Sequence, residues 1–243
     1  MTELGKYQIS PMNHPDDLFR LRREYENRKL RFEGKDVYSR IDPANFFAIQ
    51  QRQRALLNVL RENGSVDFSK LKILEMGCGN GGILLEFLEL GLMPTNLYGV
   101  DLLSDRLFNA SKHLLGSHLL NSDGQFLPFP SHSFDMVMQF TALSSVLDPD
   151  IRRNICSEML RVVDSLGIIL WYDFWLNPTN PQTHGIRPTE IRKLFPNCTC
   201  EFHKITLAPP LSRRIVPISW ILAIFLESLK IFNSHYLVAI RPK

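Results

Sequence analysis

The stretch ILEMGCGNGGILLEFL, Ile73 to Leu88, sets three glycines, Gly77, Gly79 and Gly82, at the spacing G-x-G-x-x-G between an apolar run and a helical pattern. Glycine lets backbone come close to a ligand, and the helix that follows presents unpaired N–H groups. The stretch therefore reads as strand, tight turn and helix, with a nucleotide-bearing ligand over the turn. Downstream, NLYGVDL reads as a second strand and SDRLFNASKHLL as a helix capped by Ser104 or Asp105. HLLNSD, FDMVMQF and LGIILWYDF read as further strands, and PDIRRNICSEMLRVV as the helix before the last of these. Alternation of this kind predicts an α/β fold, a mainly parallel sheet with helices on both faces.

The two ends of the chain differ from this middle. Residues 1–65 are charged and helical in pattern, with DDLFRLRREYENRKL as one helix and PANFFAIQQRQRALLNVLRENG as another ending at Gly64. We read 1–65 as a helical cover over the cleft, lined by Tyr38, Arg40, Phe46, Phe47 and Gln50, and 66–243 as the sheet domain. Near the other end, CTCEFHKITL reads as a strand, SRRIVPISWILAIFLESLKIF as one apolar helix, and HYLVAIRPK as a last strand entering the sheet in antiparallel sense.

Bulk properties narrow the class. Of 243 residues, 44% are hydrophobic and 22% charged, a composition that folds. A net charge of +3 is too small for a dedicated nucleic-acid binder. The N-terminus is polar and carries no leader pattern, so a cytoplasmic location and reduced thiols are expected. Cys198 and Cys200, at alternate positions, suit one side of a strand rather than a metal centre, and no metal is expected. The most apolar run, Ile215 to Leu226, has 12 residues, where a membrane span needs about 20. Burial in the core is its expected fate; a dimer contact and a peripheral lipid contact are the alternatives.

Two carboxylates bear on the ligand. Asp101 closes the second strand, 24 residues after Gly77, where an acid binds ribose hydroxyls. Glu75 precedes the first glycine; there it repels a pyrophosphate and suits a cation, or else makes a structural salt bridge. The pair favours S-adenosyl-L-methionine, which has a sulfonium, an amino group and a ribose but no phosphate. A nicotinamide dinucleotide is the rival.

Taken together, ILEMGCGNGG with GVDL, NSDGQFLPFPSHSFDMVMQF and SEMLRVVDSLGIILWYDF resemble the class I S-adenosylmethionine-dependent methyltransferases, of the type 11 or ubiquinone-biosynthesis kind, over Leu71 to Phe174. The resemblance implies a Rossmann-like seven-stranded sheet with an antiparallel last strand. It also implies that Glu75, Gly77, Gly79 and Asn80 surround the methionine part of the cofactor. By the same likeness Asp101 takes the ribose, Leu102 the adenine face and Asp123 with Gly124 the adenine amino group, while Gln139 and Phe140 face the sulfonium. One departure is VDSLG, which stands where the family often has a KPGG turn.

Methyl transfer needs nucleophile and methyl group held in line, with a general base for a hydroxyl acceptor. The loops after the fourth and fifth strands are the places to look. After the fourth, Thr141, Ser144 and Ser145 bond substrate or local backbone, with at least two of them packing or capping. After the fifth, WYDFWLNPTNPQTHGIRP crowds aromatics with Asp173 and His184, which is either a pocket wall or a packed crossover. Tyr172, Asp173 and His184 are the candidate catalytic residues. The expected acceptor is a small molecule, with an oxygen nucleophile on a sugar, glycan precursor or secondary metabolite. The remaining alternatives are an NAD-dependent oxidoreductase and a non-catalytic binding or partner protein of the same fold.

Overall fold

The computed structural model describes residues 15–31, 39–62, 67, 69–177 and 180–243. Tyr38 and Gly64 lie outside the described residues.

Two helices come first, α1 (Pro15–Arg31) and α2 (Pro43–Glu62). The alternating middle follows as β1 (Ile73–Met76), α3 (Gly82–Glu89), β2 (Leu97–Asp101), α4 (Ser104–Ser111), β3 (His118–Asn121), β4 (Phe134–Phe140), α5 (Pro149–Val162) and β5 (Val163–Phe174). The chain ends with α6 (Pro188–Leu194), β6 (Cys198–Leu207), α7 (Pro209–Ile215), α8 (Trp220–Ser228) and β7 (Asn233–Pro242). The sheet has seven strands in the order β3-β2-β1-β4-β5-β7-β6. Strands β1 to β5 pair in parallel, and β7 runs antiparallel to both β5 and β6. The last strand thus enters between two earlier ones, in the expected sense.

Every residue of β1 is buried, as a central strand covered on both faces demands. Leu74 and Met76 pack with Ile155, Met159 and Trp171 on one face. Ile73 packs with Leu84, Phe87 and Met138 on the other, where Leu56, Val59 and Leu60 of α2 join them. Helix α2 is therefore built into the core. Its Gln51 Oε1 accepts the Leu207 N–H at 3.1 Å, tying it to the end of β6.

Helix boundaries follow local chemistry with two corrections. Asp148 caps α5 by accepting the Asp150 and Ile151 amides, with Pro149 in the first turn. Helix α4, however, has Leu103 at its N-cap and no side-chain cap, so Ser104 and Asp105 do not serve. Asp101 does that work instead, accepting the Leu103 N–H at 2.9 Å. The expected single C-terminal helix is two: Pro217 cannot donate to a preceding carbonyl, and the Ser219 hydroxyl accepts the Leu222 N–H and starts α8 afresh. Helix α6 starts at Pro188, the last residue of the stretch after β5, and runs through residues to which the sequence reading assigns no element.

The apolar run also differs from expectation. Only Ala223 and Glu227 of α8 are buried. Ile221, Leu222, Ile224 and Phe225 are exposed.

Candidate functional site

Strand order reverses direction between β1 and β4, and in such sheets ligands bind outside the carboxyl ends at that point. A cleft lies there, walled by Gly77, Asp101, Leu102, Ser122, Asp123, Gly124, Phe140 and Thr141 among others. Helix α1 covers it: Leu21 and Tyr25 are on the wall. Arg20 holds the helix down by donating to the Ser145 carbonyl at 2.7 Å and to Gln182 Oε1 at 2.9 Å. The cover residues expected from α2 lie elsewhere, because α2 spends its apolar face on the core. Phe47 and Gln50 line a separate groove with Trp220 and Ile224. Phe46 also packs near Trp220, and Arg40 lies 3.9 Å from Glu86.

The glycine loop is shaped by close approach. Gly77 has φ +69°, and a Cβ there would stand 2.6 Å from Ala142 Cβ, so the β1 and β4 loops touch. The third constrained glycine is Gly81, not Gly82. Gly81 has φ +77° and abuts Leu114, whereas a Cβ on Gly82 meets nothing within 4 Å. The Gly77 and Cys78 amides donate to the Val100 carbonyl and Gly81 N–H to Cys78. Gly79 N–H donates to Asp101 Oδ2 at 2.8 Å. These four amides are thus spent inside the protein, and a pyrophosphate gets none of them.

Asp101 is buried, with one oxygen on Gly79 and the other on Leu103. Each carboxylate oxygen keeps a lone pair for a ligand hydroxyl. Asp123 is held by the Gln125 amide at 2.9 Å and side chain at 3.1 Å. Thr141, a β-branched residue at φ +56°, is exposed on the wall, held by its N–H to the Tyr172 carbonyl at 2.7 Å. Strain of this kind concentrates at functional sites.

Several predicted residues are not on this wall. Glu75 is buried, and its Oε2 has no hydrogen-bond partner among the described residues. Burial pushes its carboxyl well above the usual range, against the pull of Arg52. Gln139 is also buried; its Oε1 accepts the Ala142 N–H at 3.1 Å and braces the loop instead of facing a sulfonium. Asn80 is exposed and stands off the cleft wall. Gly79 is not on the wall, and Arg106 lies against it: a Cβ there would sit 2.4 Å from the guanidinium. Arg106 and Tyr25, which sequence reasoning passed over, are both on the wall, with the guanidinium 4.8 Å above the Tyr25 ring. No spacing signalled this contact; it joins α1 to α4.

Nor does the structure assemble Tyr172, Asp173 and His184. Tyr172 and Asp173 are neighbours on β5 and so point to opposite faces. The Tyr172 hydroxyl bonds Thr206 Oγ1 at 2.9 Å, and its ring stacks on His235 with centroids 4.8 Å apart. Burial raises its phenol to about 12, which does not suit a base. His184 is exposed, 3.7 Å from Glu190, while its backbone N–H donates to the Ser144 carbonyl at 2.7 Å. Trp171 is fully buried against Phe195. The aromatic crowd is core, because β5 lies between β4 and β7 and both its faces are covered. Ser144 and Ser145 are buried in a 3-10 turn, which leaves Thr141 on the wall.

Asp173 supports that turn: Oδ2 accepts the Ser144 N–H at 2.9 Å and Oδ1 the Phe174 N–H at 2.8 Å. Burial raises its carboxyl from an ordinary 3.8 to about 6, more than the hydrogen bonds from Ser144 lower it. A raised folded value means that this carboxyl stabilises the fold fully below about pH 3.8, and that the contribution is lost as pH rises through about 6. That difference corresponds to about 3 kcal/mol. Unfolding in urea at a series of pH values, on the parent chain and Asp173→Asn, should show their stability difference changing by about that amount across the window. A difference that stays flat with pH would contradict the buried, protonated carboxyl.

Comparison with known proteins agrees with this geometry. Residues 73–167 match a family profile described as a methyltransferase domain. Over these residues the chain is similar to a methyltransferase domain. The fold as a whole is similar to that of solved S-adenosylmethionine-dependent methyltransferases. Magnesium protoporphyrin IX methyltransferase of Synechocystis PCC 6803, solved with bound S-adenosylmethionine, superposes with a TM-score of 0.60 at 14% identity, over 99% of this chain and 100% of that one. An S-adenosylmethionine-dependent methyltransferase of Methanosarcina mazei gives 0.54 at 17% identity, over 76% and 97%. Among curated proteins, the phthiotriol/phenolphthiotriol dimycocerosates methyltransferase of Mycobacterium leprae is 31% identical over 136 residues, 55% of this chain and 48% of that protein. The fatty-acid O-methyltransferase of Mycolicibacterium smegmatis is 34% identical over 109 residues, 44% and 38% respectively. These matches reach less than half the length of either relative.

Among the described residues, no helix is long and apolar enough to cross a membrane. The strand order also separates this domain from dinucleotide dehydrogenases, whose sheet runs parallel in the order 3-2-1-4-5-6 and has no antiparallel strand inserted at the end.

Proposed function

We propose that this chain transfers a methyl group from S-adenosylmethionine to an oxygen of an apolar small molecule. The observation that carries the reading is the cleft at the β1–β4 reversal, which offers the Asp101 and Asp123 carboxylates but a glycine loop whose amides are already committed. That donor set suits a ligand rich in hydroxyls and amines and poor in phosphate. Asp101 accepts from the ribose hydroxyls, Asp123 from the adenine amino group, and Leu102 lies along the base. Arg106, beside Gly79, faces the amino-acid carboxylate. When bound, the cofactor supplies a methyl carbon on a cationic sulfur that leaves as a neutral thioether.

The rest of the wall belongs to the acceptor. Leu21, Phe140, Leu143 and Val146 make it apolar, which supports a hydrocarbon-rich molecule over the sugar or glycan precursor expected from sequence. The names of the curated relatives, a lipid and a fatty-acid methyltransferase, support the same class. Tyr172, Asp173 and His184 act here as scaffold, fixing the turn that follows Thr141. An acceptor that arrives already ionised, such as a carboxylate, needs no general base, which is consistent with their positions away from the wall. Helix α1 excludes water over the cleft through Leu21 and Tyr25.

Calorimetric titration with S-adenosylmethionine, its demethylated product and NAD tests the cofactor. Both sulfur compounds should bind at about micromolar levels and NAD should not. Transfer of labelled methyl to a long-chain fatty acid, set against transfer to a sugar, tests the acceptor. Binding of NAD alone, or of no ligand, removes the enzyme reading; labelling of the sugar alone removes the apolar acceptor.

A further inference from the structure

The segment 208–232 turns its greasy side outward. Ile218, Ile221, Leu222, Phe225 and Leu229 recur at the spacing of one helical face, and all are exposed, Ile218 at 84%, Ile221 at 81% and Phe225 at 57%. Ile231, at 68%, continues the patch past the helix end, with Phe232 beside it. The inward side of α8 buries only Ala223 and Glu227, with Trp220 and Leu226 half-buried beside them, and leaves most of the apolar side chains outside. A surface helix of a soluble domain has the opposite arrangement. A contiguous exposed apolar surface of this kind marks an interaction site.

Charge says what it meets. The segment holds four charged residues, Arg213, Arg214, Glu227 and Lys230. The single acid is buried and bonded by the Asn233 side chain at 3.2 Å and Lys230 at 2.7 Å. The three cations are exposed, and Arg213 and Arg214 make no ion pair among the described residues. Arg54, also exposed, lines the groove between α2 and α8 with Trp220 and Ile224. In a two-fold dimer this patch meets itself and brings the Arg213 and Arg214 rims together, with the segment's one acid, Glu227, already paired with Lys230. An anionic bilayer supplies the opposite charge and the apolar phase at once.

We propose that the outward face of α8, with Ile218 and Ile231 at its ends and Arg213, Arg214 and Lys230 around it, docks the protein on anionic lipid bilayers. The helix lies in the interface; at 9 residues it is too short to span it. The inference stands apart from the cofactor reading, because vesicle binding and cofactor titration are separate measurements.

Co-sedimentation with vesicles decides it, using phosphatidylcholine alone and phosphatidylcholine mixed with phosphatidylglycerol. The full chain should bind the anionic mixture, weaken as salt rises, and bind the zwitterionic vesicles little. Ile221→Ser with Phe225→Ser should lower partitioning at least about tenfold. Arg213→Gln and Arg214→Gln should each lower it about fivefold, on the anionic vesicles only. All these side chains are exposed, so the variants should melt with the parent chain. Absence of binding by the parent chain, or equal binding by the variants, overturns the proposal. Concentration-dependent dimerisation in ultracentrifugation, abolished by the serine variants and unaccompanied by vesicle binding, overturns it in favour of a second copy.

Discussion

Asp101→Ala should lower affinity for S-adenosylmethionine by about 100-fold or more. The residue is asked to do two things. Its oxygens accept the Gly79 and Leu103 amides at 2.8 and 2.9 Å, which locks the glycine loop to the start of α4. In the proposed complex its remaining lone pairs also accept two ribose hydroxyls, and hydrogen bonds to a charged group are worth about 1.5–3 kcal/mol each. Two of them lost give the stated factor at about 1.4 kcal/mol per tenfold. Asp101→Asn keeps one acceptor for one amide and should lose less. Calorimetric affinity, read together with thermal melting, separates the roles. If Asp101→Ala melts like the parent chain and binds as tightly, the carboxylate is not at the cofactor, and the ribose assignment falls.

Arg52→Met should cost about 3–5 kcal/mol of stability, the range for breaking one side of a buried ion pair. Arg52 comes from α2 and bonds Glu86 of α3, whose side chain is only 6% exposed. Arg52 also opposes the effect of burial on Glu75. Removing it leaves one acid without its main partner and another with only the weaker pull of Arg106 to offset its burial. Replacing both partners, Arg52→Met with Glu86→Gln, should recover part of the loss, because no ion is then left uncompensated. Equilibrium unfolding of the four chains of this cycle gives the coupling directly. A single-variant cost below about 1 kcal/mol would mean that the pair behaves as a solvent-exposed bridge.

The part of the cleft proposed for the cofactor was more legible in sequence than the part proposed for the acceptor. Gly77 and Asp101 follow strand ends readable from hydrophobic pattern, whereas Leu102, Asp123, Gly124 and Phe140 came from the family resemblance; all six line one cleft. Spacing could not separate Gly81 from Gly82. The choice rests on Leu114, more than 30 residues away, which closes on the first and leaves the second open. The stretch WYDF read equally as pocket wall or packed crossover. It is core because β7, some 60 residues later, pairs along Ile169 to Phe174 and covers what would otherwise be an edge. Likewise α2 read as a cover and is part of the core, while α1, through Leu21 and Tyr25, is the helix on the cleft.

What the sequence determined by itself was local and periodic. Strand and helix alternation, the turn after β1 and the carboxylate closing β2 follow from residue order, because backbone geometry and side-chain period act over a few residues; the antiparallel sense of the final strand came from the family resemblance. What only the tertiary structure decided was orientation. Hydropathy marks Ile215 to Leu226 as apolar without saying which side turns inward. That side is Ala223 and Glu227, with Trp220 and Leu226 half-buried beside them, which pack towards α2 and the start of β7, while Ile221, Leu222 and Phe225 are left facing out. Burial is a property of neighbours brought from distant parts of the chain, and it is burial that separates the scaffold residues Tyr172 and Asp173 from the cleft residues Asp101 and Thr141.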